Sequence, residues 1–126
     1  MEIRTATLDD VSQLCELAKE FIEESEWGWR YYEAACVERF SATITSERDD
    51  VLVADSGGEL VGLSILTWDR DFVEEAIGYF VKFYVGKKGR GTAAGRALVA
   101  KSLEWFRGKG CACVFVTTTA KLSAEA

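Results

Sequence analysis

The chain has 126 residues, 48% of them apolar and 29% charged, which sets it up as one domain around one core, since two cores would leave each half below about 65 residues, where stability is marginal. No apolar run approaches the roughly 18 residues needed to span a bilayer, and the start around Glu2 and Arg4 lacks the apolar stretch of a leader, so a cytoplasmic protein without a membrane partner is expected. The formal net charge of −6 argues against general affinity for nucleic acid, and the absence of histidine excludes Ser-His-Asp and Cys-His nucleophiles and the usual zinc sites.

In chain order, Glu2 to Thr7 alternates polar and apolar residues and predicts a first strand. Thr7 and Asp10 form a helix-start pattern, with carboxylates in the first turn where the helix dipole favours them. Val11, Leu14, Cys15, Ala18, Phe21 and Ile22 then recur at helical spacing, which predicts an amphipathic helix to about Glu24 whose other face is acidic and wet. Trp27 to Tyr32 gathers two tryptophans and two tyrosines around Gly28 and Arg30. This cluster reads either as packing or as a substrate wall made by Trp27, Trp29 and Tyr31. A second helical pattern follows through Cys36, Val37, Phe40 and Ile44.

Val51 to Ala54 and Leu60 to Thr67 are strand-like runs joined by Ser56-Gly57-Gly58-Glu59, a turn that predicts a hairpin. A third such run covers Ile77 to Val85. After a glycine-rich turn, a helix is expected from about Ala93 to Arg107, stopped by Gly108 and Gly110, and then a strand from Cys111 to Thr119. Strand, crossover helix and strand predict a right-handed βαβ unit. Cys15, Cys36, Cys111 and Cys113 contain no CxxC pair, and four buried reduced thiols with no metal are expected.

Between Lys82 and Lys109 lie eight basic residues and one acidic one, so this segment carries +7 and the remainder −13. Such segregation marks a local polyanion site, although a solvated helix face accounts for part of the count. The turn from Arg90 to Gly95 sits between a strand and a helix start, where small residues leave several backbone N–H groups pointing at one place and the dipole favours an anion. Gly91 is followed by Thr92 and Ala93 rather than Lys-Ser/Thr, so this is not a P-loop. Gly89, Gly91 and Gly95 are spaced G-x-G-x-x-x-G late in the chain, which also fails the dinucleotide fingerprint.

Arg90-Gly91-Thr92-Ala93-Ala94-Gly95, preceded by Phe83-Tyr84-Val85 and followed by Arg96-Ala97-Leu98-Val99, resembles the coenzyme A signature Q/R-x-x-G-x-G/A of the GNAT superfamily of N-acetyltransferases. Ala93 stands where glycine is usual, a tolerable departure if its φ is negative. The resemblance implies an α/β (α+β) fold with a GNAT-like central mixed sheet in the order β-α-α-β-β-β-α-β, as a single domain over residues 1–126. It also implies acetyl-coenzyme A as the cofactor. Phe83, Tyr84 and Val85 would hold the pantetheine arm and thioester carbonyl, and Lys88, Arg90, Gly91, Thr92, Ala93, Ala94, Gly95 and Arg96 the pyrophosphate.

An amine nucleophile must lose a proton before attack, so a carboxylate or an ordered water is expected near the thioester. Glu74, Glu75 and Tyr84 are the candidate catalytic groups, with Asp69 and Asp71 nearby in sequence. The tyrosine that family members often carry after the fifth strand has no counterpart beyond Tyr84, which leaves only Ser123 as a hydroxyl past Thr119. Members usually continue into a further helix and two strands, whereas Ala120 to Ala126 alone follow here. A shortened end is therefore expected, with a homodimer covering the last strand and completing the acceptor wall. The leading reading is transfer of an acetyl group to a small-molecule or protein amine. The alternatives are a non-catalytic coenzyme A-binding module and an adaptor that uses the basic stretch.

Overall fold

The computed structural model of the chain describes residues 1–116. Its strands are β1 (Glu2–Thr5), β2 (Asp50–Ser56), β3 (Glu59–Asp69), β4 (Ala76–Val85) and β5 (Cys111–Val116), and its helices are α1 (Val11–Glu24), α2 (Glu33–Thr45) and α3 (Ala94–Gly108). The strands lie in the order β1-β2-β3-β4-β5. The first four run antiparallel, and β5 joins β4 in parallel, as the crossover through α3 requires. The mixed sheet and element order are those the sequence predicts.

Both faces of the sheet are covered, so the central strands are apolar on both sides rather than alternating. Val51, Val53, Leu63 and Ile65 face α1 and α2, where Leu14, Leu17 and Phe40 pack on them. Leu52, Ala54, Leu66 and Phe80 face α3, where Leu98 and Phe106 close the second core. Leu66 and Leu98 are completely buried, each worth about 2 kcal/mol of apolar transfer. A buried hydrogen bond of 2.9 Å between Ser64 and Ser102 satisfies the two hydroxyls enclosed between sheet and α3.

β1 ends at Thr5, short of the expected Thr7, because the chain turns into a helical start. The Thr7 N–H donates to Asp10 Oδ2 at 2.7 Å, and Arg4 grips the same carboxylate through two guanidinium nitrogens at 2.7 and 2.9 Å. The Arg4 hydrogen bond, helped by the Thr7 N–H and opposed by burial, holds the Asp10 carboxyl down to about 2. This clamp fixes the entry angle of α1, and α1 in turn carries side chains to the glycine-rich turn.

The cysteine expectation is corrected. All four thiols are free, but Cys15 alone is buried, Cys36 and Cys111 are half-buried, and Cys113 is exposed. Cys113 alternates out of β5, on a face that α3 does not cover. The expected continuation of this strand to Thr119, and Ser123, lie outside the described residues.

Candidate functional site

Directly after β4, Gly86 leads into a single 3-10 turn at Lys87–Gly89, and the chain then swings into α3. Gly89 is buried so close to β3 that a Cβ there would lie 2.8 Å from the Val61 carbonyl oxygen, which only glycine avoids. Gly91 has φ +77, a left-handed conformation that also favours glycine. Ala93 has φ −79, so alanine in place of the usual glycine carries no backbone strain.

Three amide groups of the turn are engaged within it. Arg90 N–H donates to Lys87 O and Thr92 N–H to Gly89 O, each at 3.3 Å, while Ala94 N–H donates to Thr92 Oγ1 at 3.2 Å. Among the described residues, the N–H groups of Gly91, Ala93, Gly95 and Arg96 have no acceptor. These four open donors stand at the positive end of a 15-residue helix. Of the several N–H groups expected in the turn from Arg90 to Gly95, those of Gly91, Ala93 and Gly95 are open, and Arg96 adds one just beyond it.

The polar face of α1 is not simply wet. Glu24 lies one helical turn beyond Glu20, and both reach the loop. Glu20 accepts the Lys87 N–H at 2.7 Å. Glu24 takes a two-pronged contact from Arg90 at 2.6 and 2.8 Å and a further hydrogen bond from the Tyr84 hydroxyl. The Arg90 hydrogen bond first, and the Tyr84 bond second, hold the Glu24 carboxyl down to about 2. Burial and the neighbouring Glu24 and Glu20 push the Tyr84 phenol well above its ordinary range, so it stays protonated. The expectation that Arg90 points at a phosphate is therefore met by a side chain already bound to a carboxylate. Lys88 likewise pairs with Glu59 at 3.1 Å.

β5 pairs with β4 only from Ala76 to Phe80 within the described residues. On that side the backbone from Val81 to Val85 has no described partner. On the other side the register with β3 slips between Ile65/Lys82 and Leu66/Phe80, which leaves Val81 as an extra, bulged residue. No sequence signal announces this bulge. It sits at the middle of β4, where the stretch with no described partner on the β5 side begins.

The segment Lys82 to Tyr84 also borders a cavity of about 200 Å³, roofed by Leu17, Ala18 and Phe21 of α1, by Cys36 and Phe40 of α2, and by Trp29. Trp29 is therefore a wall of this cavity, and Trp27 stacks edge-on against it with ring centroids 4.4 Å apart. Tyr31 is placed differently. It packs into the core beside Cys15 and Cys36, and burial pushes both its phenol and the Cys36 thiol up, the latter to about 12.

The acidic candidates lie apart from this arrangement. Glu74 and Glu75 are exposed in the bend before β4, and the strand rise puts Glu75 roughly 20 Å from Val81 along the chain. Asp69 accepts a hydrogen bond of 3.4 Å from Tyr79 at the same end of the sheet, and Asp71 is exposed. Of the three candidate catalytic groups, only Tyr84 is brought to the loop and the cavity. Glu24 and Glu20 were missed, although their spacing of four on the polar face of α1 could have marked them as a pair facing a basic partner.

Among the described residues no cluster of acidic or cysteine side chains could hold a metal, and no helix is long and apolar enough to cross a membrane. Curated protein sequences contain no match to this chain. Among solved structures, it is similar to an integron cassette protein from the mobile metagenome of Cole Harbour Salt Marsh, at 26% identity and TM-score 0.82, over 92% of this chain and 76% of the other. It is also similar to an aminoglycoside acetyltransferase from an uncultured soil metagenomic sample, solved with sisomicin, at 18% identity and TM-score 0.73, over 94% and 77%. Aminoglycoside N-acetyltransferase AAC(6')-Iy, solved with CoA, matches at 16% identity and TM-score 0.78, over 94% and 76%. The model of the Acetyltransferase (GNAT) family matches residues 11–126, a span that includes the glycine-rich turn, the bulged strand and the cavity, and the chain belongs to that family.

Proposed function

We propose that this chain is an acetyl-coenzyme A-dependent N-acyltransferase that acetylates a small-molecule or protein amine. One observation carries the reading: the four open N–H donors at the start of α3 continue into the stretch Val81–Val85, which among the described residues has no partner on the β5 side, and Lys82–Tyr84 of that stretch border the cavity. A pyrophosphate, an extended arm and an acceptor need those three surfaces in that order. The coenzyme A complex of the structurally similar aminoglycoside enzyme supports the same choice of cofactor.

Acetyl-coenzyme A supplies a thioester whose carbonyl carbon an amine can attack. Gly91, Ala93, Gly95 and Arg96 hold the pyrophosphate through their N–H groups, with the helix dipole and the charges of Lys87 and Arg96 adding attraction. The backbone from Val81 to Val85 orients the arm, and the bulge at Val81 re-aims a peptide group toward the carbonyl oxygen, where charge develops on attack. The cavity wall of Phe21, Phe40 and Trp29 excludes water and lines up the amine, which loses its proton to solvent. Tyr84, whose protonated hydroxyl donates to Glu24 in the structure, would turn from that carboxylate to donate its proton to the departing thiolate.

Thiol release from acetyl-coenzyme A across an amine panel tests this. Release that depends on a particular amine, together with a product that carries one acetyl group in place of a hydrogen, is expected. Tight binding of acetyl-coenzyme A with no amine-dependent release would favour the non-catalytic module instead.

A further inference from the structure

The cavity beside β4 combines an apolar wall with two cations. An apolar cavity of roughly 150 Å³ is enough for benzene, so a space of about 200 Å³ takes one aromatic ring or one branched aliphatic group and little more. Arg39 from α2 and Lys82 from β4 both line it. Neither makes an ion pair among the described residues, and both are exposed at the rim. No aspartate or glutamate is among the lining residues.

This wall is unsuited to a polycation. A multi-ring polyamine would exceed the space and would meet two positive charges with no carboxylate to offset them. It is suited to a molecule with one compact apolar group, one anionic group and one amine. Resting on the acetyltransferase reading above, we infer that the acceptor is a free apolar α-amino acid, with its side chain among Phe21, Phe40 and Trp29 and its carboxylate between Arg39 and Lys82. That placement turns the α-amine toward Lys82–Tyr84, the stretch of β4 with no described partner on the β5 side.

The test separates ligand class from transfer. N-acetyl-L-phenylalanine and its carboxamide are titrated calorimetrically into the full chain, and thiol release from acetyl-coenzyme A is followed with L-phenylalanine, L-leucine, phenethylamine and sisomicin. The acid is expected to bind at least about tenfold tighter than the amide, as loss of a charge-assisted contact implies, and the two amino acids to outpace both other amines. Arg39→Gln and Lys82→Met, at exposed positions where the fold should persist with an unchanged melting temperature, should each bring the acid-to-amide ratio close to one. Equal affinity for acid and amide, or faster consumption of sisomicin than of either amino acid, overturns the inference and leaves acetyl transfer standing. Acid-selective binding without thiol release from any amine upholds the ligand class and overturns transfer.

Discussion

Replacing Gly91 separates the backbone requirement of the loop from its charge. At φ +77 a Cβ would meet nothing within 4 Å, so steric crowding does not enter. Gly91→Ala therefore carries only the left-handed penalty of an L-residue, about 1–2 kcal/mol. The chain either bears that cost in stability or relaxes to negative φ and turns the Gly91 and Ala93 donors away from their common focus. Gly91→Pro does more, because φ is locked near −65° and the N–H itself is lost. Each hydrogen bond to a charged group is worth about 1.5–3 kcal/mol, so losing one donor and misaligning a second should weaken acetyl-coenzyme A binding by about a hundredfold or more. Gly95→Ala is the control. A Cβ there would lie 3.5 Å from Val85 Cγ2, an ordinary contact, and alanine is the better helix former by about 1 kcal/mol. Calorimetric titration with acetyl-coenzyme A, paired with thermal melting, should show Gly95→Ala binding like the parent and melting higher, Gly91→Ala binding less tightly, and Gly91→Pro not binding at accessible concentrations. A folded Gly91→Pro protein that titrates like the parent refutes the assignment of the loop.

Other consequences follow from the ion pairs and the core. Glu24→Gln should release Arg90 and tighten acetyl-coenzyme A binding severalfold, while in the parent the pair stays intact from pH 8 down to about 4, because the Glu24 carboxyl is held down to about 2; unchanged affinity in the variant would mean that Arg90 does not reach the phosphates. The Asp10 carboxyl lies at about 2 against an ordinary 3.8, so its pairing contributes about 2 kcal/mol that is fully present above roughly pH 4 and lost as pH falls through 2. Asp10→Asn should therefore be less stable by about that amount at pH 7, with the gap to the parent closing below pH 4 in denaturant titrations. Tyr84→Phe should lower turnover more than acetyl-coenzyme A affinity, and an equal effect on both would assign the hydroxyl to binding alone. Leu98→Ala, at a fully buried site, should cost about 2–5 kcal/mol in the same titrations.

The element order was legible because each period was clear. The alternation of Glu2–Thr5 and the three-four spacing from Val11 to Ile22 leave little choice of element, and Gly57-Gly58 marks the hairpin. The glycine-rich turn was legible for a local reason as well, since small residues between a strand and a helix start have few other uses. What sequence could not show is what distant segments do to one another. Glu24 and Arg90 are 66 positions apart, so neither a wet acidic face on α1 nor a free arginine in the loop could be corrected by local pattern. The bulge at Val81 depends on the register between β3 and β4, and the cavity on the angle at which α1 and α2 cross the sheet. Glu74 and Glu75 were chosen for nearness in sequence to β4, yet strand direction sets them at its beginning, while the loop lies at its end. Trp29 and Tyr31 come from one aromatic cluster, yet the irregular backbone between them sends one to the cavity and the other to the core.

A crystal structure with acetyl-coenzyme A bound is the most direct measurement of the central claim. The account predicts pyrophosphate oxygens within hydrogen-bond distance of the N–H groups of Gly91, Ala93, Gly95 and Arg96, the arm along Val81–Val85, and the acetyl group facing the cavity beside Lys82 and Trp29. A pyrophosphate seated instead in the polar cleft of Lys87, Lys88 and Glu59, with the arm away from β4, would contradict it.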